Sequence, residues 1–238
     1  MGTSLPSASI ASEDELLSRA RGIGGRTLAE IAASLAEPLP VDPRRAKGFV
    51  GELVERALGV PSRTGVAGPD VPSLGLEIKT IPVRRDGRPR ESTFVCTLAL
   101  GLLPSERWDT SRARAKLARV LWVPIEHDRR LAFGDRRVGS SFVWSPSPDE
   151  EEALREDWER VQHVVALGRI ASLDARVGSI LQVCPKARDG VARVRAAGDH
   201  DAPVSVMPRG FYLRASFTRS LVERSFPRLG ASPGRPPW

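Results

Sequence analysis

Cysteine, lysine and tyrosine are nearly absent from this chain. Among 238 residues there are two cysteines, Cys96 and Cys184, too few and too far apart for a disulfide framework or a thiolate metal site. No apolar run approaches the ~18–20 residues that a membrane helix needs; the longest, Phe94 to Leu103, is about half that length. Residues Met1 to Pro6 lack the charged and apolar regions of a secretory signal, and Pro6 spoils a myristoylation pattern. The expectation is a cytoplasmic protein without a membrane partner. The phosphate loop G-x-x-x-x-G-K-[ST], H-E-x-x-H and G-x-S-x-G are all missing, and the three histidines (His127, His163, His200) are scattered. Nucleotide, zinc-peptidase and serine-hydrolase chemistries therefore have no motif to stand on.

What is abundant is arginine. Lys plus Arg number 36 against 29 Asp plus Glu, a net charge of +7. That charge is uneven. Residues 79–137 carry 14 basic and 7 acidic groups, whereas residues 1–78 carry 8 and 10. A polyanion such as DNA or RNA explains such a stretch; so does simple solubility. Of the 36 cations, 32 are Arg and four are Lys: Lys47, Lys79, Lys116 and Lys186. In a chain that uses Arg wherever any cation serves, a retained Lys marks a place where a compact ammonium is needed, and the four become site candidates.

Local signals place the elements. Residues 1–11 are small and polar and read as disordered. Ser12-Glu13-Asp14-Glu15, Thr27-Leu28-Ala29-Glu30 and Ser147-Pro148-Asp149-Glu150 are helix starts of capping type. A helix from Lys47 to Leu58 is closed by Gly59. Alternation from Leu74 to Val83 predicts a strand, and Asp86-Gly87 predicts a hairpin turn into a partner strand over Ser92–Leu98. Further strands are expected at 120–125, 179–183 and 210–214, with a closing helix at 218–226. Residues 229–238 are rich in Pro and Gly and read as a flexible tail.

The sharpest pattern is Pro69-Asp70 followed by Glu77-Ile78-Lys79. Residues two apart on a strand share a face, so Glu77 and Lys79 point together, and Asp70 reaches that face from the entering segment. Asp70 and Glu77 supply hard oxygen ligands for Mg²⁺, which stabilises charge on a phosphate and acidifies water. Lys79 orients the water. Glu55, on the preceding helix, offers a third carboxylate. The competing reading is an i, i+2 ion pair on a half-exposed strand, with Glu55 as a surface residue.

This pattern is that of the PD-(D/E)xK nuclease superfamily. The blocks LGLEIKTIPV, GRPRESTFVC, RVLWVPIE, RRVGSSFVWSP, LREDWE and PRGFYL further resemble the MutH family, from about Glu13 to Phe226. The resemblance implies an α/β (α+β) fold with a restriction-endonuclease-like core: a central mixed sheet flanked by helices, in two arms that form a DNA-binding cleft. One endonuclease domain spans 12–228, with 12–110 mainly the catalytic arm and 111–228 mainly the DNA-recognition arm. It implies a monomeric, Mg²⁺-dependent enzyme that nicks the unmethylated strand at GATC sites, activated by MutL and, through it, by MutS. Asp70, Glu77, Lys79 and Glu55 match the catalytic set, and Lys47 and Lys116 match residues at the active site and DNA backbone. Glu91, Phe94, Pro185, Lys186 and Tyr212 become DNA-contact candidates. Core packing is the alternative for Phe94 and Tyr212, and a solvated strand end for Lys186. Where the family has Arg before Pro-Lys, this chain has Cys184. The other readings are a restriction-type enzyme cutting both strands and a DNA-binding module without catalysis.

Overall fold

A computed structural model describes residues 10–40, 46–61, 68–173, 176–186, 194–197 and 203–227. In chain order the helices and strands are α1 (Glu13–Ile23), α2 (Leu28–Ser34), α3 (Ala46–Ala57), β1 (Glu77–Val83), β2 (Thr93–Thr97), α4 (Arg112–Leu117), β3 (Val120–Glu126), β4 (Phe142–Trp144), α5 (Pro148–Ala166), β5 (Leu181–Pro185), β6 (Val194–Ala197), β7 (Pro203–Val206), β8 (Arg209–Leu213) and α6 (Ala215–Ser225). They form two compact units that interleave in sequence. The first holds Met1–Arg90, Arg119–Trp144 and Leu221–Trp238; the second holds Glu91–Ala118 and Ser145–Ser220. The chain thus passes between units four times.

The first unit is built on a mixed sheet of order β1-β3-β4, with β1 and β3 parallel and β3 and β4 antiparallel. One face is covered by helices. Leu16, Ala20 and Ile23 of α1, Leu28 and Ile31 of α2, and Leu53 and Val54 of α3 are buried in one core with Ile78, Leu121, Val123 and Ile125 of the strands. Apolar residues at helical spacing meet alternate residues of the strands, Ile78 of β1 and Leu121, Val123 and Ile125 of β3. Ile10 is buried in the same core, and the Ala11 N–H donates to Glu15 at 3.0 Å, so the expected disorder stops short of these two residues. Residues 1–9 and the expected tail at 229–238 lie outside the described residues.

Capping behaves as short-range chemistry predicts. Thr27 and Ser147 both form reciprocal capping boxes with the Glu three residues on. Ser12 caps α1 by accepting from the Glu15 N–H at 3.2 Å, but Glu15 turns to Ala11 instead of returning the bond.

The Asp86-Gly87 turn forms, with the Arg84 N–H donating to the Arg88 carbonyl at 2.9 Å, but it does not make a β1–β2 hairpin. β1 pairs instead with β3 in parallel, Glu77 opposite Val120 and Lys79 opposite Trp122. β2 belongs to the second unit. There the antiparallel sheet has order β2-β8-β5, with α4 packed on β2 and α5 on β5. β6 and β7 form a separate antiparallel pair. Neither that pair nor α4 and β4 was read from the sequence.

Candidate active site

The loop into β1 fixes the site. Val71 and Leu76 exchange backbone hydrogen bonds at 2.9 and 3.1 Å across the 3₁₀ turn Pro72–Leu74. Gly75 closes that turn at φ 60°, a left-handed conformation that glycine adopts without penalty. This tight return sets Asp70 beside the first residues of the strand, where its Oδ2 accepts from the Ile78 N–H at 2.9 Å. The strand therefore begins at Glu77, three residues later than the alternation predicts.

Glu77 and Lys79 do share a face. Glu77 Oε1 accepts from Lys79 Nζ at 3.0 Å, and their side chains are 5% and 8% exposed. The pair is thus buried, not set on a half-exposed strand. Desolvating two charges costs free energy that the attraction between them rarely recovers, so a well-packed apolar pair would stabilise this strand as well or better. Two charges kept in such a place point to chemistry. Trp122, opposite Lys79 in the register, is fully buried and stacks on Phe142, which meets Phe226 edge-on.

Two carboxylates, Asp70 and Glu77, stand at the start of β1. An all-oxygen donor set with few protein ligands fits a hard divalent cation that keeps most of its waters, and not a thiolate- or imidazole-preferring metal. Glu55 lies half-buried on α3, the helix that packs on β1. Among the described residues no group of three or more His, Cys, Asp or Glu side chains stands together as a metal cage. Lys47 sits in the first turn of α3, and its side chain lies outside what the structure describes.

The second unit gathers another set. Register places Phe94 opposite Tyr212 and Tyr212 opposite Gln182. Phe211, Leu213, Leu181 and Val183 turn to the buried face, leaving Tyr212, Gly210, Gln182 and Cys184 on the other. Phe94 and Tyr212 pack edge to face with centroids 5.3 Å apart. Lys186 Nζ stands 4.7 Å from the Phe94 ring centroid and donates to Thr97 Oγ1 at 2.6 Å. Phe94 is 37% exposed, so it is not a core residue. Pro185 ends β5, exposed, opposite Arg209. Glu91 is exposed, near enough for its charge to act on Tyr212. Lys116 is half-buried on α4.

Two participants escaped the sequence reading. A Cβ on Gly210 would stand 2.9 Å from Phe94 Cε2 and 3.3 Å from Tyr212 Cε2, so only glycine leaves this ring pair undisturbed. Gln182, buried, donates to Ser92 Oγ at 2.6 Å and ties β5 to the segment before β2. The glycine inside a predicted strand was the available signal.

Burial, then the neighbouring Cys184 and Glu91, push the Tyr212 phenol above its ordinary value of 10.0. The group holds its proton more tightly folded than unfolded. Its contribution to stability is present below pH 10 and is lost as pH rises through the folded value. Tyr212 is the one tyrosine of the chain. Phenolate absorbance against pH should give a single transition above pH 10 in the native protein that falls toward the ordinary value in denaturant; coincident transitions would contradict this environment.

A mixed sheet flanked by helices, whose parallel strand opens on a buried Glu-Ile-Lys with a looped-back Asp, places the chain in the restriction-endonuclease-like class. The sequence profile described as DNA mismatch repair enzyme MutH matches residues 63–157. The chain is 44% identical over 217 residues to the DNA mismatch repair protein MutH of Pectobacterium atrosepticum, covering 91% of this chain and 94% of that one. It is 42% identical over 223 residues to the proteins of the same name from Yersinia enterocolitica and Yersinia pestis, covering 94% of this chain and 97% of each. The chain belongs to the MutH family. It is a mismatch repair endonuclease, a hydrolase of DNA phosphodiester bonds, and its nuclease chemistry implies a divalent metal. Among the described residues, no helix is long and apolar enough to cross a membrane.

Proposed function

We propose that this chain nicks the unmethylated strand of hemimethylated or unmethylated GATC sites in Mg²⁺, acting as a cytoplasmic monomer. MutL activates it and MutS acts through MutL, as family membership implies. The observation that carries the catalytic part is the buried Glu77–Lys79 pair with Asp70 bonded to the residue between them.

Asp70 and Glu77 are the residues that would hold Mg²⁺, and Glu55 assists them from α3. Such an ion would neutralise phosphate charge and make water more acidic. Lys79, fixed by Glu77, orients the attacking water and opposes the negative charge that grows on the phosphate oxygens. The water oxygen bonds to phosphorus and gives its proton to solvent, one ester P–O bond breaks, and the departing sugar oxygen takes up a proton from solvent to leave as a hydroxyl. Lys47 and Lys116 neutralise backbone phosphates. In the second unit, Phe94 and Tyr212 present ring surface to a base, Glu91 accepts from a base amine, and Lys186 donates, set by Pro185. Methylation of adenine N6 adds bulk and removes a donor hydrogen, which a side chain packed as Tyr212 is detects by contact.

A supercoiled plasmid with one GATC site tests this. The expected product is nicked circle, formed only with Mg²⁺ and only on the plasmid that carries the site. Linear product from a single encounter would instead indicate a restriction-type enzyme, and binding without cleavage a non-catalytic module.

A further inference from the structure

The parallel pairing of β1 and β3 delivers the loops after both strands to one end of the sheet, opposite the end that carries Glu77. There Arg84, Arg85, Arg90, Arg129 and Arg130 line one open depression with His127. Two carboxylates share it, and both are engaged. Asp86 Oδ1 accepts from the Arg88 N–H at 3.0 Å. Asp128 Oδ1 accepts from the Arg130 N–H at 2.9 Å, and its Oδ2 lies 3.5 Å from Arg85 Nε. Five guanidinium groups against two carboxylates leave an excess of three positive charges.

The backbone that carries these cations is held by folded turns. Besides the Arg84–Arg88 bond, the Gly87 N–H donates to the Arg84 carbonyl at 2.9 Å and the Arg90 N–H to the Pro82 carbonyl at 2.9 Å. The His127 N–H donates to the Val83 carbonyl at 2.8 Å and ties the two loops together. Like charges fixed side by side repel unless an anion joins them. The neighbouring Arg136 registers this: burial first, and then the Arg90 charge, lower its pKa.

The chemistry of the surroundings selects the anion. A protein partner needs an apolar centre to its interface. The exposed large apolar residues, Phe94, Leu102 and Leu167, all belong to the second unit, and among the described residues none lies at this depression. Phosphate needs only fixed cations. From Glu77 to Arg84 is seven residues of strand, about 23 Å at ~3.3 Å per residue. At ~3.4 Å per base pair that equals roughly seven base pairs of duplex.

We propose that this arginine depression is a second phosphate-binding surface that holds duplex DNA about seven base pairs or more from the incised phosphate. The proposal rests on the reading of Asp70, Glu77 and Lys79 as the incision site. It accounts for basic residues that the incision chemistry leaves unused.

The test uses the full chain and a variant with Arg84→Gln and Arg129→Gln, both exposed positions outside the incision site. Binding by fluorescence anisotropy is measured without divalent metal on two duplexes with one central GATC, of about 12 and about 40 base pairs, across a salt series. Each phosphate contact adds about 0.9 to the slope of log affinity against log salt. The variant should lose about one to two units of slope on the long duplex, with unchanged affinity for the short one and unchanged incision of it. Equal slopes for both proteins on the long duplex would overturn the proposal and leave the arginines to another anion. Equal weakening on both lengths would overturn it too, because a general field would then suffice. Failure of the unaltered chain to nick the short duplex in Mg²⁺ would refute the incision reading instead.

Discussion

Lys79→Met is expected to lower single-turnover incision by about 10²–10⁴-fold, the range for a positioned proton-handling or charge-stabilising group. Affinity for the duplex should stay within a few-fold, because the side chain is only 8% exposed and makes its contact inside the unit, to Glu77. Met keeps the chain length and loses the ammonium. The loss strands a buried carboxylate, and removing one member of a buried pair typically costs about 3–5 kcal/mol. A divalent cation bound at Asp70 and Glu77 should return part of that stability, so the variant should gain more thermal stability from added Mg²⁺ than the unaltered chain. Lys79→Arg separates charge from shape. It restores a cation, but a planar fork does not fit the place of a compact ammonium, and activity should remain low. A folded Lys79→Met protein that nicks within tenfold of the unaltered chain would remove Lys79 from the chemistry.

A second large stability effect is expected far from that site in sequence, at Asp157. This residue is buried in α5. Its carboxylate accepts from the backbone N–H groups of Ser179, Ile180 and Leu181 at 2.7–2.9 Å and from the Ser179 hydroxyl. It thereby sets the start of β5, and with it the register that brings Tyr212 and Gln182 together. Asp157→Ala leaves three buried N–H groups unpartnered at roughly 1–3 kcal/mol each. The expected loss is about 4 kcal/mol or more, roughly 8–16 °C in Tm for a chain of this size. Asp157→Asn keeps one accepting oxygen and should lose clearly less. Thermal unfolding with Asp157→Ala within 3 °C or so of the unaltered chain would show that water replaces the carboxylate at that turn.

How much of this was legible depends on range. Thr27 and Ser147 were readable as caps because each box closes within three residues. Glu77 and Lys79 were readable as a pair because strand alternation is local. The partner of β1 was not, since the choice between β2 and β3 is made by burial of the whole sheet; the turn at Asp86-Gly87 forms and still does not commit the chain to a hairpin. Phe94, Lys186 and Tyr212 were named through family resemblance. No spacing rule joins residues 94, 186 and 212, and only the β2-β8-β5 register makes them neighbours. Asp157 carried a signal that went unused: it stands on the buried stripe of α5 with Leu154, Trp158, Val161 and Val165, where an acid needs a partner. The arginines of the depression were counted as charge, while their convergence follows from the parallel exit of two strands far apart in sequence.

Methylation-sensitive nicking by the Asp70, Glu77 and Lys79 set is the reading on which the other roles depend. Its most direct test is incision of one GATC duplex in Mg²⁺ in its unmethylated, hemimethylated and fully methylated states, each strand labelled separately, with Glu77→Ala as control. Cleavage is expected on unmethylated strands only, with none on the fully methylated duplex and none by the control. Equal cleavage of all three states, or cleavage that survives in the control, would contradict it.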